Sequence, residues 1–221
     1  MTTILQVEAS ARVERSLSRG LARTFRENWQ AAEPAADFIE RDVGTRPPPF
    51  VSGDWITAAF TPPAERWTAQ REILAASDEM IDEVRRSDVI VIATPMYNYG
   101  MPATLKAWFD QVIRVDETFS FDLQRGDWPL EPKLSGKRLV VLASSGEFGF
   151  EPGGIREKFN HLEPHIATCS RYLGVNEKHF VGIEYQEFGD ERHQRSRIRA
   201  HRKVRELVDA IAPVQPLLHA G

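Results

Sequence analysis

The sequence predicts an α/β fold: a five-stranded parallel sheet with helices on both faces. Two observations carry that expectation. Short apolar runs alternate along the chain with longer segments of helical periodicity, which is the order of βαβ units. Two of the runs, VIVIA (89–93) and RLVVLAS (138–144), are uninterrupted and rich in β-branched residues, as strands covered on both faces require. No internal repeat or low-complexity segment divides the 221 residues, so one globular domain is expected.

The elements follow in order. ILQVEA (4–9) reads as the first strand. Leu17, Leu21, Phe25 and Trp29, at steps of four, mark the buried face of the first helix. DFIERDV is a weaker second strand, and GTRPPPF after it carries three prolines that exclude regular structure. A long helix is expected from Ala64 to Ser87, with Ile73, Ser77, Met80 and Val84 on one stripe and Leu74 and Ile81 beside it. VIVIA is the third strand. Leu105, Trp108, Phe109, Val112 and Ile113 then define a helix whose first turn contains Pro102. RLVVLAS and HFVGIE give strands four and five, and Ile198, His201, Val204, Leu207, Val208 and Ile211 stripe a terminal helix. Segments 43–63 and 114–137 remain as long loops, which on such a scaffold carry function more often than fold.

Composition excludes several classes. A net charge of −4 argues against a dedicated nucleic-acid or anionic-membrane surface. The basic run RHQRSRIRAHRKVRE is flanked by acids and reads as a solvated helix face. No apolar run reaches membrane-spanning length and the first residues carry no basic leader, so a cytoplasmic protein is expected. The single cysteine, Cys169, cannot form an intrachain disulfide and reads as buried filler. His161 and His165 stand four apart in NHLEPHI, but Pro164 between them is expected to interrupt any helix, and no metal site is assigned.

In an open α/β sheet ligands settle beyond the carboxyl ends of the strands. Three segments lie there: EASARVERSLSRG, TPMYNYGMP and SSGEFGFEPGG. The first places Ser10, Ser16 and Ser18, with Arg12, around a helix start, where hydroxyls and free N–H groups suit a phosphate; a serine there can equally serve only as a cap. GxGxxG and the Walker pattern are both missing, which points to a monophosphate. The acidic cluster of a phosphorelay receiver is missing as well. In the second segment Met96, Tyr97, Asn98 and Tyr99 offer stacking and hydrogen bonding to a planar heterocycle, and Gly100 relieves crowding. The third, Ser144 to Gly149, brings small residues and backbone donors to the other edge of that ring. A monophosphate joined to a planar heterocycle describes flavin mononucleotide, FMN.

SARVERSLSRGL, TPMYNYGMPATLKAWFDQVIR, TFSFD, SGKRLVVLASSGE and LEPHIATCSRYLGV, in that order, resemble the FMN-dependent NADH:quinone reductase and azoreductase family of flavodoxin-like proteins. AAFTPPAERWTAQREILAASDEMIDEV also reads like that family's long second helix, so the likeness runs from the first strand to the fifth. The resemblance implies a single flavodoxin-like FMN-binding domain over residues 1–221. It assigns Ser10 and Ser18 to the FMN phosphate with Ser16 and Leu17 adjoining, and Pro95, Met96, Tyr97, Asn98 and Tyr99 to the isoalloxazine. The family has Ser-Arg-Gly-Gly where this chain has Ser144, Ser145, Gly146 and Glu147; a glutamate at the pyrimidine edge would disfavour the anionic reduced ring unless it points away. Phe119 and Phe121 match aromatic positions of the family's substrate pocket, although the following DLQRGDWPL, with Trp128, departs from its pattern.

The implied reaction is ping-pong two-electron transfer, with NAD(P)H as donor and a quinone, azo compound or related small aromatic molecule as acceptor in one shared pocket. The implied assembly is a homodimer with loop 119–130 near the site. A different class, a non-catalytic FMN carrier or redox sensor, would call for a more acidic docking surface than −4 provides.

Overall fold

A computed structural model of the chain describes residues 1–213. Strands β1 (Thr3–Glu8), β2 (Asp37–Asp42), β3 (Val89–Pro95), β6 (Lys137–Ser144) and β7 (Val175–Ile183) form one parallel sheet in the order β2-β1-β3-β6-β7. The expected fold class is therefore the observed one. β3 is buried at every residue, and alternate side chains divide between two cores. On one face Leu5, Ile90, Ile92, Leu139 and Val141 pack under α3 (Thr68–Arg86), α4 (Ala103–Val112) and α5 (Glu163–Cys169). On the other, Ile4, Val91 and Val140 pack under α1 (Leu17–Ala32) and α6 (Glu191–Ile211), the former contributing Leu21, Phe25 and Trp29. Burying residues of this size is worth roughly 1.5–3 kcal/mol each, and the division of side chains between the two cores pins the register of the central strands β1, β3 and β6.

The two segments read as loops hold structure of their own. Within 43–63 lies α2 (Gly53–Phe60), capped by Ser52, whose Oγ accepts the Trp55 N–H at 3.1 Å. Trp55 Nε1 donates to Gln111 Oε1 at 2.9 Å, and Gln111 Nε2 donates to the Pro49 carbonyl at 2.9 Å, which ties the proline-rich stretch to α4. Within 114–137 an antiparallel hairpin pairs β4 (Phe119–Phe121) with β5 (Leu130–Pro132).

Several expectations need correction. The long second helix starts at Thr68, not Ala64, because Pro62 and Pro63 hold the preceding residues in a separate 3-10 turn. Its buried stripe is Leu74, Ser77, Met80, Ile81 and Val84, whereas Ile73 is exposed. In α6 the buried face is His193, Ser196, Ala200, Val204, Val208 and Ile211; Ile198 is 69% exposed. Pro164 does not interrupt a helix but sits in the first turn of α5, which starts at Glu163, where its missing N–H costs nothing; His161 lies before that helix and shares no face of it with His165. Cys169 is half-buried, and burial pushes its thiol pKa up.

β7 ends the sheet, and α6 closes the upper part of that edge. The Glu184 N–H donates to Ser196 Oγ at 3.0 Å, and His193 Nδ1 donates to the Glu184 carbonyl at 3.0 Å. Among the described residues no helix is long and apolar enough to cross a membrane.

Candidate functional site

The sheet reverses its winding between β1 and β3, which pair directly, with Glu8 opposite Ala93. A crevice opens at such a switch point because the connections on either side leave in opposite directions. The first predicted loop follows β1, the second follows β3 and the third follows β6, so all three leave neighbouring strands at the same end of the sheet. Backbone bonds fix their starts: the Ala9 N–H donates to the Ala93 carbonyl at 2.9 Å, and the Met96 N–H to the Ser144 carbonyl at 2.8 Å.

At the first loop Ser16 caps α1, its Oγ accepting the Arg19 N–H at 3.3 Å and lying 3.2 Å from Ser18 Oγ. The cap leaves the N–H groups of Leu17 and Ser18 without intrahelical acceptors at the positive end of a 16-residue helix. Ser10 and Ser18 are buried, and Ser10 Oγ accepts the Arg12 N–H at 3.2 Å. Arg19, which the sequence reading missed, anchors the loop from beneath. Its Nη2 donates to the Ser10 carbonyl at 2.7 Å and to Asp42 at 2.8 Å, and its Nη1 pairs with Glu8. Burial works against both charges of the Arg19–Asp42 pair, but their mutual hydrogen bond and attraction raise the guanidinium pKa and hold the Asp42 carboxyl below the usual carboxylate range. Arg12 stays exposed.

The second loop is a two-residue hairpin. Tyr97 and Gly100 exchange both backbone hydrogen bonds at 3.0 Å, and the central residues Asn98 and Tyr99 are left-handed, with φ of 48° and 67°. Both signs are those of the turn that suits a twisted hairpin. A non-glycine residue there costs of order 1–3 kcal/mol, and such strain collects at ligand sites. Gly100 itself has ordinary φ and open space around it; the unusual backbone belongs to its two neighbours. The turn holds Tyr97 at 42% and Tyr99 at 45% exposure, while Pro95 is buried and Met96 packs against the core. The Tyr99 ring lies 5.9 Å from Phe159 and 6.3 Å from Phe150, and its carbonyl accepts the His161 N–H at 2.9 Å.

In the third loop Ser144 and Ser145 are buried and Gly146 and Glu147 half-buried. Residues 183–187 pair with the loop: Ser145 N–H reaches the Ile183 carbonyl at 2.9 Å, and Tyr185 N–H reaches the Glu147 carbonyl at 3.2 Å. The Glu147 carboxylate is held by Arg156, Nε to Oε1 at 2.9 Å. The nearby Glu147 carboxylate also raises the Tyr99 phenol pKa. Sequence spacing gave no sign of Arg156 or of Glu184, whose Oε1 accepts the Gly149 N–H at 2.8 Å.

A cavity of about 710 Å³ opens on the β6–β7 side, lined among others by Met96, Ser144, Ser145, Phe150, Glu163 and Phe180. Burial, reinforced by the neighbouring Glu184 and Glu151 carboxylates, raises the Glu163 carboxyl pKa. The cavity takes in only this end of the predicted site; Ser10, Ser16, Ser18, Tyr97, Asn98 and Tyr99 lie outside it. Phe119 and Phe121 also lie outside it. The Phe119 ring packs edge-on against Tyr172 at 5.5 Å, and Phe121 is 53% exposed on the β4–β5 hairpin.

The model of a family described as having a flavodoxin-like fold matches residues 2–208. The FMN-dependent NADH:quinone oxidoreductase 2 of Colwellia psychrerythraea is 52% identical over 215 residues, covering 94% of this chain and 98% of that protein. The protein of the same name from Idiomarina loihiensis is 53% identical over 201 residues, 88% of this chain and 84% of its own. Among solved structures, an azoreductase from Bacillus anthracis superposes with a TM-score of 0.84 at 20% identity, over 96% of this chain and all of that one; at that identity the likeness speaks for the fold. A family match across nearly the whole chain and half the residues in common with two such relatives lead to one conclusion: the chain belongs to the flavodoxin-like family of FMN-dependent NADH:quinone oxidoreductases.

Proposed function

We propose that the protein is a single-domain, FMN-dependent NAD(P)H oxidoreductase that reduces quinones, azo compounds or related aromatic acceptors by ping-pong two-electron transfer. The observation that carries the reading is the meeting, at the β1–β3 switch point, of a serine-rich helix N-terminus with a strained hairpin that presents two tyrosines. The names of the relatives supply the donor and acceptor class.

The residues present fit the cofactor. The N–H groups of Leu17 and Ser18 with the hydroxyls of Ser10, Ser16 and Ser18 suit a dianionic phosphate with no lysine. The left-handed turn holds Met96, Tyr97, Asn98 and Tyr99 as a bed for a flat ring, with Pro95 beneath it in the core. Ser144, Ser145, Gly146 and Glu147 bring the third loop to the ring's polar edge. Bound there, FMN would supply the hydride chemistry that links NAD(P)H to the acceptor. The chain's own part is to grip the phosphate, orient the ring and keep one pocket open to donor and acceptor in turn.

Phe119 and Phe121 enter this scheme through assembly. The hairpin and its turn expose Phe121, Leu123, Trp128 and Leu130, a patch that suits coverage by a second copy in a homodimer. Sedimentation equilibrium on the chain and on Trp128→Glu tests that element, with a monomeric native chain refuting it.

The deciding experiment is an anaerobic visible spectrum of the FMN-loaded protein. Bleaching by NADH or NADPH and recovery on adding a quinone are expected. Flavin bands that neither nucleotide bleaches would replace the enzyme with a carrier or sensor, and a protein that takes up no FMN would end the reading altogether.

A further inference from the structure

We infer that Arg156 is a positioning residue of this site: it neutralises and aims the Glu147 carboxylate, so that the third loop meets the reduced cofactor without an uncompensated negative charge. The inference rests on the FMN reading. Glu147 stands where a carboxylate works against a flavin gaining negative charge. A second carboxylate is close by, since a Cβ built on Gly146 would lie 2.7 Å from Glu187 Cγ, and Glu187 has no ion-pair partner among the described residues.

Arg156 is bound to the loop at four points. Its Nε donates to Glu147 Oε1 at 2.9 Å, its Nη1 to the Phe148 carbonyl at 3.2 Å and its backbone N–H to the Gly149 carbonyl at 2.7 Å. Its guanidinium lies over the Phe148 ring, 4.7 Å from the centroid, and that ring stacks on Tyr185 at 4.3 Å. The Tyr185 backbone returns to the Glu147 carbonyl, which closes the circuit. Carboxylate, loop backbone and aromatic pile thus share one planar cation. Lysine, a point charge without fork or stacking surface, would replace only part of it. The circuit also reaches the second loop, because the Phe159 N–H donates to the Arg156 carbonyl at 2.9 Å and the Phe159 ring packs on Tyr99.

The test is a double-mutant cycle. Apoprotein is titrated with FMN by flavin fluorescence, and the reduction potential of the bound flavin is then measured, for the native chain, Arg156→Ala, Glu147→Gln and the pair together. Arg156→Ala should weaken FMN binding by about tenfold, within the range of directly coupled pairs, and lower the potential. Adding Glu147→Gln should return the affinity to within about threefold of native and bring the potential back toward the native value, because no charge is left uncompensated. If the double variant stays as weak as Arg156→Ala, Arg156 only shapes the loop and the inference falls. The tyrosine ring signals of the apoprotein, only four residues, separate this failure from that of the FMN reading. A native chain that takes up no FMN defeats the reading, while a Tyr99 signal unmoved by Arg156→Ala defeats the circuit whether or not flavin binds.

Discussion

Replacing Gly44 by Ala should damage the proposed phosphate loop from behind. Gly44 follows β2, and its N–H and that of Val43 both donate to the Glu8 carbonyl, at 3.0 and 2.9 Å, which draws the backbone against the first loop. A Cβ at this position would lie 2.2 Å from the Ser10 carbonyl oxygen and 2.6 Å from its carbon. Ordinary contact begins at 3.4 Å, so about 1.2 Å of movement is required, and both partners are backbone atoms with no rotamer to change. The Ser10 carbonyl is also pinned by Arg19 at 2.7 Å. Overpacking of this kind costs about 1–3 kcal/mol, which lowers the melting temperature of a chain this long by roughly 2–12 °C. Displacing Ser10 should in addition weaken FMN binding at least about tenfold, or about 1.4 kcal/mol. Apoprotein titrated with FMN and melted by circular dichroism reads both effects. A lowered melting temperature with native FMN affinity would refute the assignment of Ser10 to the phosphate, and no change in either would refute the steric argument itself.

Asn98→Ala should reduce flavin retention on a desalting column, since alanine at φ 48° adds strain of about 1–2 kcal/mol and removes the amide; Asn98→Gly should keep the hairpin, and equal retention by both would show that the strain is irrelevant to binding. Leu74→Ala should cost about 2–5 kcal/mol in urea unfolding and Ile73→Ala only about 0.5 kcal/mol, the reverse order meaning that α3 is turned the other way. Asp42 has a lowered pKa in the folded chain, so its contribution to stability is complete above the unfolded carboxylate value of about 4 and fades as pH falls through the folded value. The stability gap between the native chain and Asp42→Asn should therefore narrow from pH 7 to pH 3, and a constant gap in urea midpoints would argue against the Arg19–Asp42 attraction.

What could be read from sequence and what could not divides along physical lines. β3 and β6 were legible because a strand buried on both faces leaves an unbroken apolar run. α1 was legible because Leu21, Phe25 and Trp29 repeat at helical spacing against one core. α2 was hidden: eight residues after three prolines carry too little periodicity, and its hold on the fold is a hydrogen bond from Trp55 to Gln111, 56 positions away. Ile73 and Ile198 were misplaced because an apolar residue beside a stripe looks like part of it until the phase of the helix is known. At the site, Ser16, Tyr97 and Asn98 announced themselves by local turn and cap chemistry. Arg19, Arg156 and Glu184 did not, because their roles depend on partners brought by tertiary structure, and charged residues on a helix or loop are ordinarily solvated.

The closure of β7 by α6 has a consequence for how the molecule behaves in company. An open sheet edge is a template on which other chains add strands. Here the stopper is a serine hydroxyl and an imidazole, one taking the Glu184 N–H and the other occupying its carbonyl. Both backbone groups of Glu184, the residue just past β7, are therefore occupied, so this end of the edge offers neither donor nor acceptor to an added strand.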